Sequence, residues 1–301
     1  MSERALVLGG GGSAGNAWEI GVIAGLFDAG LDVTEADLII GTSAGATVAA
    51  QINSVTRPTE LLADILASTP RPRSGGPVGS DGGRVAQMPV GSHLEKSSAI
   101  IGAAENPADM RRRLGAAALE MDAASSDGSE QTQRRDIVAA RLPSQHWPQR
   151  PMLIVAVDAH TGEPVVFDRD SGVDLVDAVT ASTANGFSVP PHTIGDSRYI
   201  DGGYRASENA DLAAGYARVL VLSPFSGRSR APQEWGIHLA AQVDELRARG
   251  SKVETIFPDS SSRDVFAYGA NQMDPSTRPP AARAGYSQGK ALAEQLTEFW
   301  R

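Results

Sequence analysis

No cysteine occurs anywhere in the chain. Its absence excludes disulfides, thiol catalysis and zinc–thiolate sites together. Lysine is almost as scarce: three residues stand against 24 arginines, a compositional bias of the source rather than a functional signal. Positive charge is also in deficit, and the formal net charge of −9 argues against a nucleic-acid partner and against general attraction to anionic membranes. Long hydrophobic runs are missing too; none approaches the ~20 residues of a membrane-spanning helix. Met1-Ser2-Glu3-Arg4 leads directly into an apolar strand without the layout of a signal peptide. The five histidines form no paired metal-binding motif, so neither a metal nor a cofactor is expected. A cytoplasmic enzyme or binding protein is the expectation.

What remains is ordinary in bulk. At 301 residues with 41% hydrophobic and 21% charged side chains, the chain can bury a full core as one large α/β domain or two smaller ones. No internal repeat or domain boundary is visible, so a single domain over 1–301 is expected.

The informative stretch is Asp37 to Gly45. Leu38-Ile39-Ile40 runs straight into Gly41-Thr42-Ser43-Ala44-Gly45, and an alanine-rich helical stretch, Ala46 to Ile52, follows. Strand, sharp turn and helix are what a nucleophile elbow needs. The glycines two residues either side of Ser43 leave room for the neighbouring backbone, and the helix N-terminus favours developing negative charge. The same letters also fit a plain Gly/Ser turn; the strand and helix around them favour a nucleophile.

A second glycine run, Gly9 to Gly15, stands between the apolar strand Arg4 to Leu8 and a helix from Ala17 to Ala29. Such a run is a cradle of backbone N–H groups for an anion. Gly10-x-Gly12-x-x-Gly15 matches a dinucleotide fingerprint, but that use wants an acid ending the second strand. Here the second strand ends in the serine elbow, and Asp32 and Asp37 precede it. An oxyanion hole beside a nucleophilic serine is the better reading.

Further along, Pro58 to Ala67 reads as a helix and Pro70 to Gly91 as a long loop. Helices are expected over Ala108 to Met121 and Gln133 to Leu142, with a polar break from Ser125 to Glu130. Together they make a variable cap segment at about 70–145, where substrate specificity is expected. The first of these helices fits a body-packed role with its arginines in water, with a lid as the alternative. Met152 to Val157 is a core strand ending at Asp158, and Asp158 and Asp168 read as turn-forming carboxylates. Arg198-Tyr199-Ile200 runs into Asp201-Gly202-Gly203, where the glycines allow Asp201 to approach another loop. Alone this is a turn; behind a serine elbow it is a candidate base. Val219 to Leu222 and Val253 to Phe257 are further strands. Gln233 to Arg249 is expected as one helix containing His238, and Arg278 to Arg301 as a terminal helix broken near Gly285 and Gly289. Strands alternating with helices predict an α/β fold of three layers, a mainly parallel central sheet with helices on both faces.

The glycine loop Gly9 to Gly15, the elbow Gly41 to Gly45 and Asp201-Gly202-Gly203, in this order, resemble the patatin-like phospholipase family. The resemblance implies a patatin-like fold and a serine acyl hydrolase acting on a lipid or ester substrate, with transient contact to a membrane. By position it makes Ser43 the nucleophile, Asp201 the base, and the amides of Gly10, Gly11 and Gly12 the oxyanion hole. Ser13-Ala14-Gly15 stands where the family usually carries Arg or Lys. With the net charge of −9, this predicts neutral or short-chain esters used at least as readily as anionic phospholipids. The competing expectations are an idle acyl- or lipid-binding module of the same fold and, further off, a nucleotide-binding oxidoreductase.

Overall fold

Among the described residues of the computed structural model, 3–68, 90–123, 129–262 and 273–301, one sheet gathers the apolar runs of the sequence. Its strands are β1 (Arg4–Leu8), β2 (Leu38–Thr42), β3 (Met152–Asp158), β4 (Pro164–Phe167), β5 (His192–Ile194), β6 (Ser197–Asp201), β7 (Arg218–Leu222) and β8 (Lys252–Ile256). The run β3-β2-β1-β7-β8 is parallel throughout, while β4, β5 and β6 are antiparallel additions around β3.

Both faces of this sheet are covered. Leu6, Leu8, Ile39, Ile154, Leu220 and Leu222 pack into one core with helices α1 (Gly12–Asp28), α2 (Ala44–Ile52) and α3 (Pro58–Ala67). Their strand neighbours Ala5, Val7, Ile40, Val155, Val219 and Val221 point the other way into a second core. Side chains alternate along a strand, so a run that is apolar at every position has a core on each side. The three-layer, mainly parallel α/β expectation is what the chain forms.

In the segment expected as a cap lie α4 (Val90–Ala103), α5 (Pro107–Ala123) and α6 (Ser129–Ala139). Of the expected loop over 70–91, residues 70–89 lie outside the described residues, as do 125–128 of the expected polar break. α5 packs on the body: Met110, Leu114 and Ala118 are buried against Val157 and Ile200. Arg112 and Arg113 pair with Asp109 at its exposed face. Helix α7 (Leu175–Ser182) follows β4 and lies in the first core.

Two helical expectations are corrected. The stretch from Gln233 to Arg249 is a short 3-10 turn, Gln233–Trp235, and a separate helix α8 (Leu239–Ala248). Gly236 between them adopts φ 68°, a left-handed conformation that ends a helix, and His238 is the N-cap of α8 rather than an interior residue. The terminal helix α9 (Arg278–Trp300) is continuous through both its glycines. A Cβ on Gly285 would lie 2.3 Å from the carbonyl oxygen of Trp18, and one on Gly289 2.2 Å from that of Val22. Gly21 and Gly25 on α1 meet α9 in the same way, at 2.2 Å from Ala282 and Tyr286 carbonyls. The glycines therefore serve backbone-to-backbone contact between two helices, and the packing they allow outweighs their ~1 kcal/mol propensity cost.

The register around β3 sets up the site. β2 pairs with residues 152–155 of β3, β6 with 156–158 and β4 with 154–157. β4 overlaps both of the others, so β2 and β6 must share the opposite edge of β3. They arrive from opposite directions: Thr42 faces Val155 and Asp201 faces Ala156. The C-terminal ends of two strands 159 positions apart at these residues are thereby brought end to end. Gly202 makes the meeting possible, since a Cβ there would sit 2.1 Å from the Val155 carbonyl oxygen.

Candidate active site

β2 hands the chain to α2 through Ser43, whose backbone sits at φ 54°, ψ −115°. A residue with a Cβ adopts such a conformation only when its surroundings impose it. They do so here by close approach: a Cβ on Gly45 would stand 2.1 Å from the Leu8 carbonyl oxygen, and one on Gly41 2.6 Å from Cα of Ala46. The Ser43 N–H donates to Ser182 Oγ at 2.9 Å, at the end of α7.

Ser43 Oγ donates to Asp201 Oδ2 at 2.7 Å, and the other carboxylate oxygen accepts the Gly203 N–H at 2.8 Å. Burial pushes the Asp201 carboxyl up to about 6, against the lowering effect of these two hydrogen bonds. Tyr204 beside it is raised by burial and then by the charge of Asp201; its hydroxyl donates to the Asn185 carbonyl at 2.6 Å.

The glycine loop comes alongside. A Cβ on Gly10 would lie 3.7 Å from that of Ser43, so the loop runs close past the serine. The sequence reading makes Gly10 an oxyanion donor, but the structure commits its N–H to the Ser207 carbonyl at 2.8 Å. Gly10 contributes space instead. No described residue accepts the N–H of Gly11 or Gly12, nor that of Ala44, which directly follows the serine. Gly12 opens α1 and Ala44 opens α2, so two helix N-termini converge beside Ser43.

Two supporting residues carry no motif in the sequence. Ser182 fixes the elbow amide, as above. Asn209, fully buried at φ 56°, donates from Nδ2 to Thr42 Oγ1 at 2.9 Å, to the Ala206 carbonyl at 2.8 Å and to the Gly202 carbonyl at 3.3 Å. It ties the end of β2 to the turn after Asp201. An asparagine tolerating left-handed backbone just before a helix is the only sequence sign of it.

Below the loop, Glu19 and Glu208 are buried, and burial raises both, Glu208 to about 7 with Ser223 Oγ donating to it at 2.6 Å. Asp158 and Asp168 are turn carboxylates as expected, each accepting from residues two or three positions on. Asp32 caps Thr34, and Asp37 accepts the N–H groups of Glu3 and Arg4 at the start of β1, the end of the sheet away from the glycine loop.

The dyad opens into a cavity of about 1240 Å³. Among the described residues no histidine lines it; His192 is bonded to Asp177, and His238 Nε2 meets the Ala231 carbonyl at 2.8 Å. No group of metal-ligating side chains exists among the described residues, and no described helix is long and apolar enough to cross a membrane. Arg278 donates to the Ser13 carbonyl at 3.3 Å and to Asn16 Oδ1 at 2.9 Å. The start of α9 thus brings a cation to the end of the glycine loop, where Ser13-Ala14-Gly15 itself carries none.

A family model described as patatin-like phospholipase matches residues 6–214. No curated protein sequence matches the chain. Among solved structures, VipD from Legionella pneumophila is similar at 14% identity and a TM-score of 0.42, over 98% of this chain and 67% of that one. The type III effector protein ExoU is similar at 15% identity and a TM-score of 0.40, over 98% of this chain and 53% of that one. This chain therefore spans about two thirds of the first and half of the second.

Proposed function

The chain belongs to the patatin-like phospholipase family, a family of lipid acyl hydrolases, and from that premise we propose that it is a serine ester hydrolase working through Ser43 and Asp201. The observation that carries this reading is the 2.7 Å hydrogen bond from Ser43 Oγ to Asp201 Oδ2. Asp201 takes the hydroxyl proton as Ser43 Oγ attacks the ester carbonyl carbon. The carbonyl oxygen becomes an oxyanion held by the N–H groups of Gly11, Gly12 and Ala44. Each such donor is worth ~3 kcal/mol in the transition state. The protonated Asp201 returns its proton to the leaving alkoxide, and an acyl-serine remains. Water, deprotonated by Asp201, then attacks the acyl carbon, and the proton passes from Asp201 to the departing Ser43 Oγ as the acid is freed.

A lone carboxylate is an adequate base only if its proton affinity is raised. Burial supplies that at Asp201, and a value of about 6 keeps it ionised at neutral pH. The strained Ser43 backbone argues against an idle binding module, since strain of this kind is retained where it presents a reacting group. The nucleotide-binding alternative lacks its acid, because Asp32 caps its own turn at Thr34 and Asp37 accepts the N–H groups of Glu3 and Arg4 at the far end of β1. A single domain over 1–301, with α4 to α6 as the specificity segment, completes the reading, and transient membrane contact by a cytoplasmic enzyme fits a lipid substrate.

The test compares kcat/KM of Asp201→Asn and His238→Ala on p-nitrophenyl butyrate. Asp201→Asn is expected to fall by about 10³. His238→Ala is expected to stay within a few fold. A comparable collapse in both, with the folds intact, would replace the dyad by a triad.

A further inference from the structure

Two buried carboxyls below the glycine loop, Glu19 on α1 and Glu208 after the turn of Asp201, take no part in the acyl transfer. Glu208 stands where the parts of the site meet. The carbonyl of Ser207, one residue before it, takes the Gly10 N–H at 2.8 Å, and its own carbonyl accepts from Thr42 Oγ1 at 3.4 Å. A Cβ on Gly9 would lie 3.2 Å from Glu208 Cγ, so the side chain lies directly against the start of the glycine loop. Gly9 in turn donates its N–H to the Leu222 carbonyl at 3.1 Å and accepts that of Gly45 at 3.1 Å. At the end of β7, Ser223 Oγ donates to Glu208 Oε1 at 2.6 Å and accepts the Gly227 N–H at 2.8 Å. The glycine loop, the elbow, the turn after the base and the end of β7 are thus held together around one residue.

Neither Glu19 nor Glu208 forms an ion pair among the described residues. From α1, Glu208 faces Glu19, whose carboxylate oxygens are buried and reach no donor at hydrogen-bond geometry among the described residues. Burial raises Glu19 well above the ordinary range, and the charge of Glu208 adds to the rise. From the glycine loop Glu208 faces Gly9, from the elbow Thr42 and from β7 Ser223, none of which titrates. On its own segment Arg205 is spent on Asn209 and Asp211, and Asp201 on Ser43 and Gly203. Burial raises Glu208 to about 7, against the Ser223 bond, which lowers it. An ionised carboxylate here is a negative charge behind the loop whose Gly11 and Gly12 amides hold the oxyanion. Like charges at short range oppose each other, most strongly where water is excluded. The neutral acid fills the same space without that opposition.

We propose that Glu208 is a positioning residue for the oxyanion hole: as the neutral acid it backs the glycine loop, and its ionisation sets the cradle against the oxyanion and ends activity on the alkaline side. This rests on the ester-hydrolase reading for the reaction, and on the contacts of Glu208 for its own part. Glu208 acts through Gly9 and the loop and touches neither the nucleophile nor the substrate. Asp201 must be ionised to accept the Ser43 proton, so kcat/KM rises as pH passes about 6. Glu208 must be neutral, so kcat/KM falls again as pH passes about 7. A dyad working without Glu208 would instead rise to a plateau.

Profiles of kcat/KM on p-nitrophenyl butyrate between pH 5 and 9 are compared for wild type, Glu208→Gln and Ser223→Ala. Wild type is expected to be about fivefold or more slower at pH 9 than at pH 6.5. Glutamine keeps the acceptor for Ser223 and cannot ionise, so Glu208→Gln should hold a plateau from pH 7 to 9. Ser223→Ala removes the donor that favours the charged form, so its alkaline limb should move up by about half a pH unit or more. A wild-type plateau to pH 9, a falling limb that survives in Glu208→Gln, or a limb left in place by Ser223→Ala would each overturn the proposal. A second readout needs no turnover. Octanoate, ionised across this range, is titrated by calorimetry into Asp201→Asn protein, where Asp201 no longer titrates. Its affinity should fall about fivefold or more from pH 6.5 to 9, and less than about twofold once Glu208→Gln is added. Affinity indifferent to pH, or no binding at any pH, would overturn the proposal. Failure of wild type to hydrolyse any ester, with the octanoate result intact, refutes the esterase reading and leaves Glu208 in control of an anion cradle.

Discussion

Replacing Asp201 by asparagine should stabilise the protein at neutral pH while destroying its activity. The carboxyl rises from an ordinary 3.8 to about 6 in the folded chain because burial penalises its charge. Below pH 4 the carboxyl is protonated in both folded and unfolded chains and carries no penalty. Above 6 the folded protein must hold a buried anion that the unfolded chain holds in water. Stability is therefore lost as pH rises through 4 to 6, and at ~1.4 kcal/mol per pKa unit the loss approaches ~3 kcal/mol. Asp201 lines the open cavity and is half-buried rather than sealed, so this is a ceiling, and roughly half of it is expected to be seen. Asparagine keeps the acceptor for Gly203 and can donate to Ser43 Oγ, but carries no charge. Thermal melts of wild type and Asp201→Asn between pH 4 and 8.5 measure the difference. The variant should match wild type at pH 4 and melt higher by roughly 3–6 °C above pH 7. A gap that is constant across pH, or a variant less stable at pH 8, would refute the reasoning that burial sets the proton affinity of this group.

Other consequences follow from backbone geometry. Ser43→Gly should melt above Ser43→Ala by about 1–2 kcal/mol, because glycine alone is at ease at φ 54°; equal melting would mean that the elbow is unstrained. Gly289→Val should cost at least ~3 kcal/mol by chemical denaturation, since its Cβ has only 2.2 Å to the Val22 carbonyl oxygen and must push α9 off α1; a loss under 1 kcal/mol would contradict that contact.

How much of this was legible in the sequence depends on where the determining contact lies. The parallel strands were readable because each is an unbroken apolar run, and the elbow because strand, glycine spacing and helix all lie between Leu38 and Ile52. α4 was missed: Val90–Ala103 mixes glycine, serine and charge without a clear apolar period. α9 was wrongly broken because propensity counts glycine as a loss, while the gain lies on α1, more than 250 residues away. Gly10 was assigned a free amide that Ser207, on a distant turn, in fact takes up. The meeting of Ser43 with Asp201 depends on β2 and β6 sharing an edge of β3, a matter of register that no spacing along the chain displays. The cavity's arginines come from α6, the turn after it, the loop after β7 and the start of α9, and a net charge summed over the whole surface hides a local excess of the opposite sign.

The central claim is that Ser43 is a nucleophile activated by Asp201. The most direct measurement is labelling by an alkyl fluorophosphonate, followed by intact mass and peptide mapping, in wild type, Ser43→Ala and Asp201→Asn. The account predicts a single adduct on the peptide containing Ser43, none in Ser43→Ala, and a labelling rate at least a hundredfold lower in Asp201→Asn. An adduct on another residue, or wild-type labelling of Ser43→Ala, would contradict it.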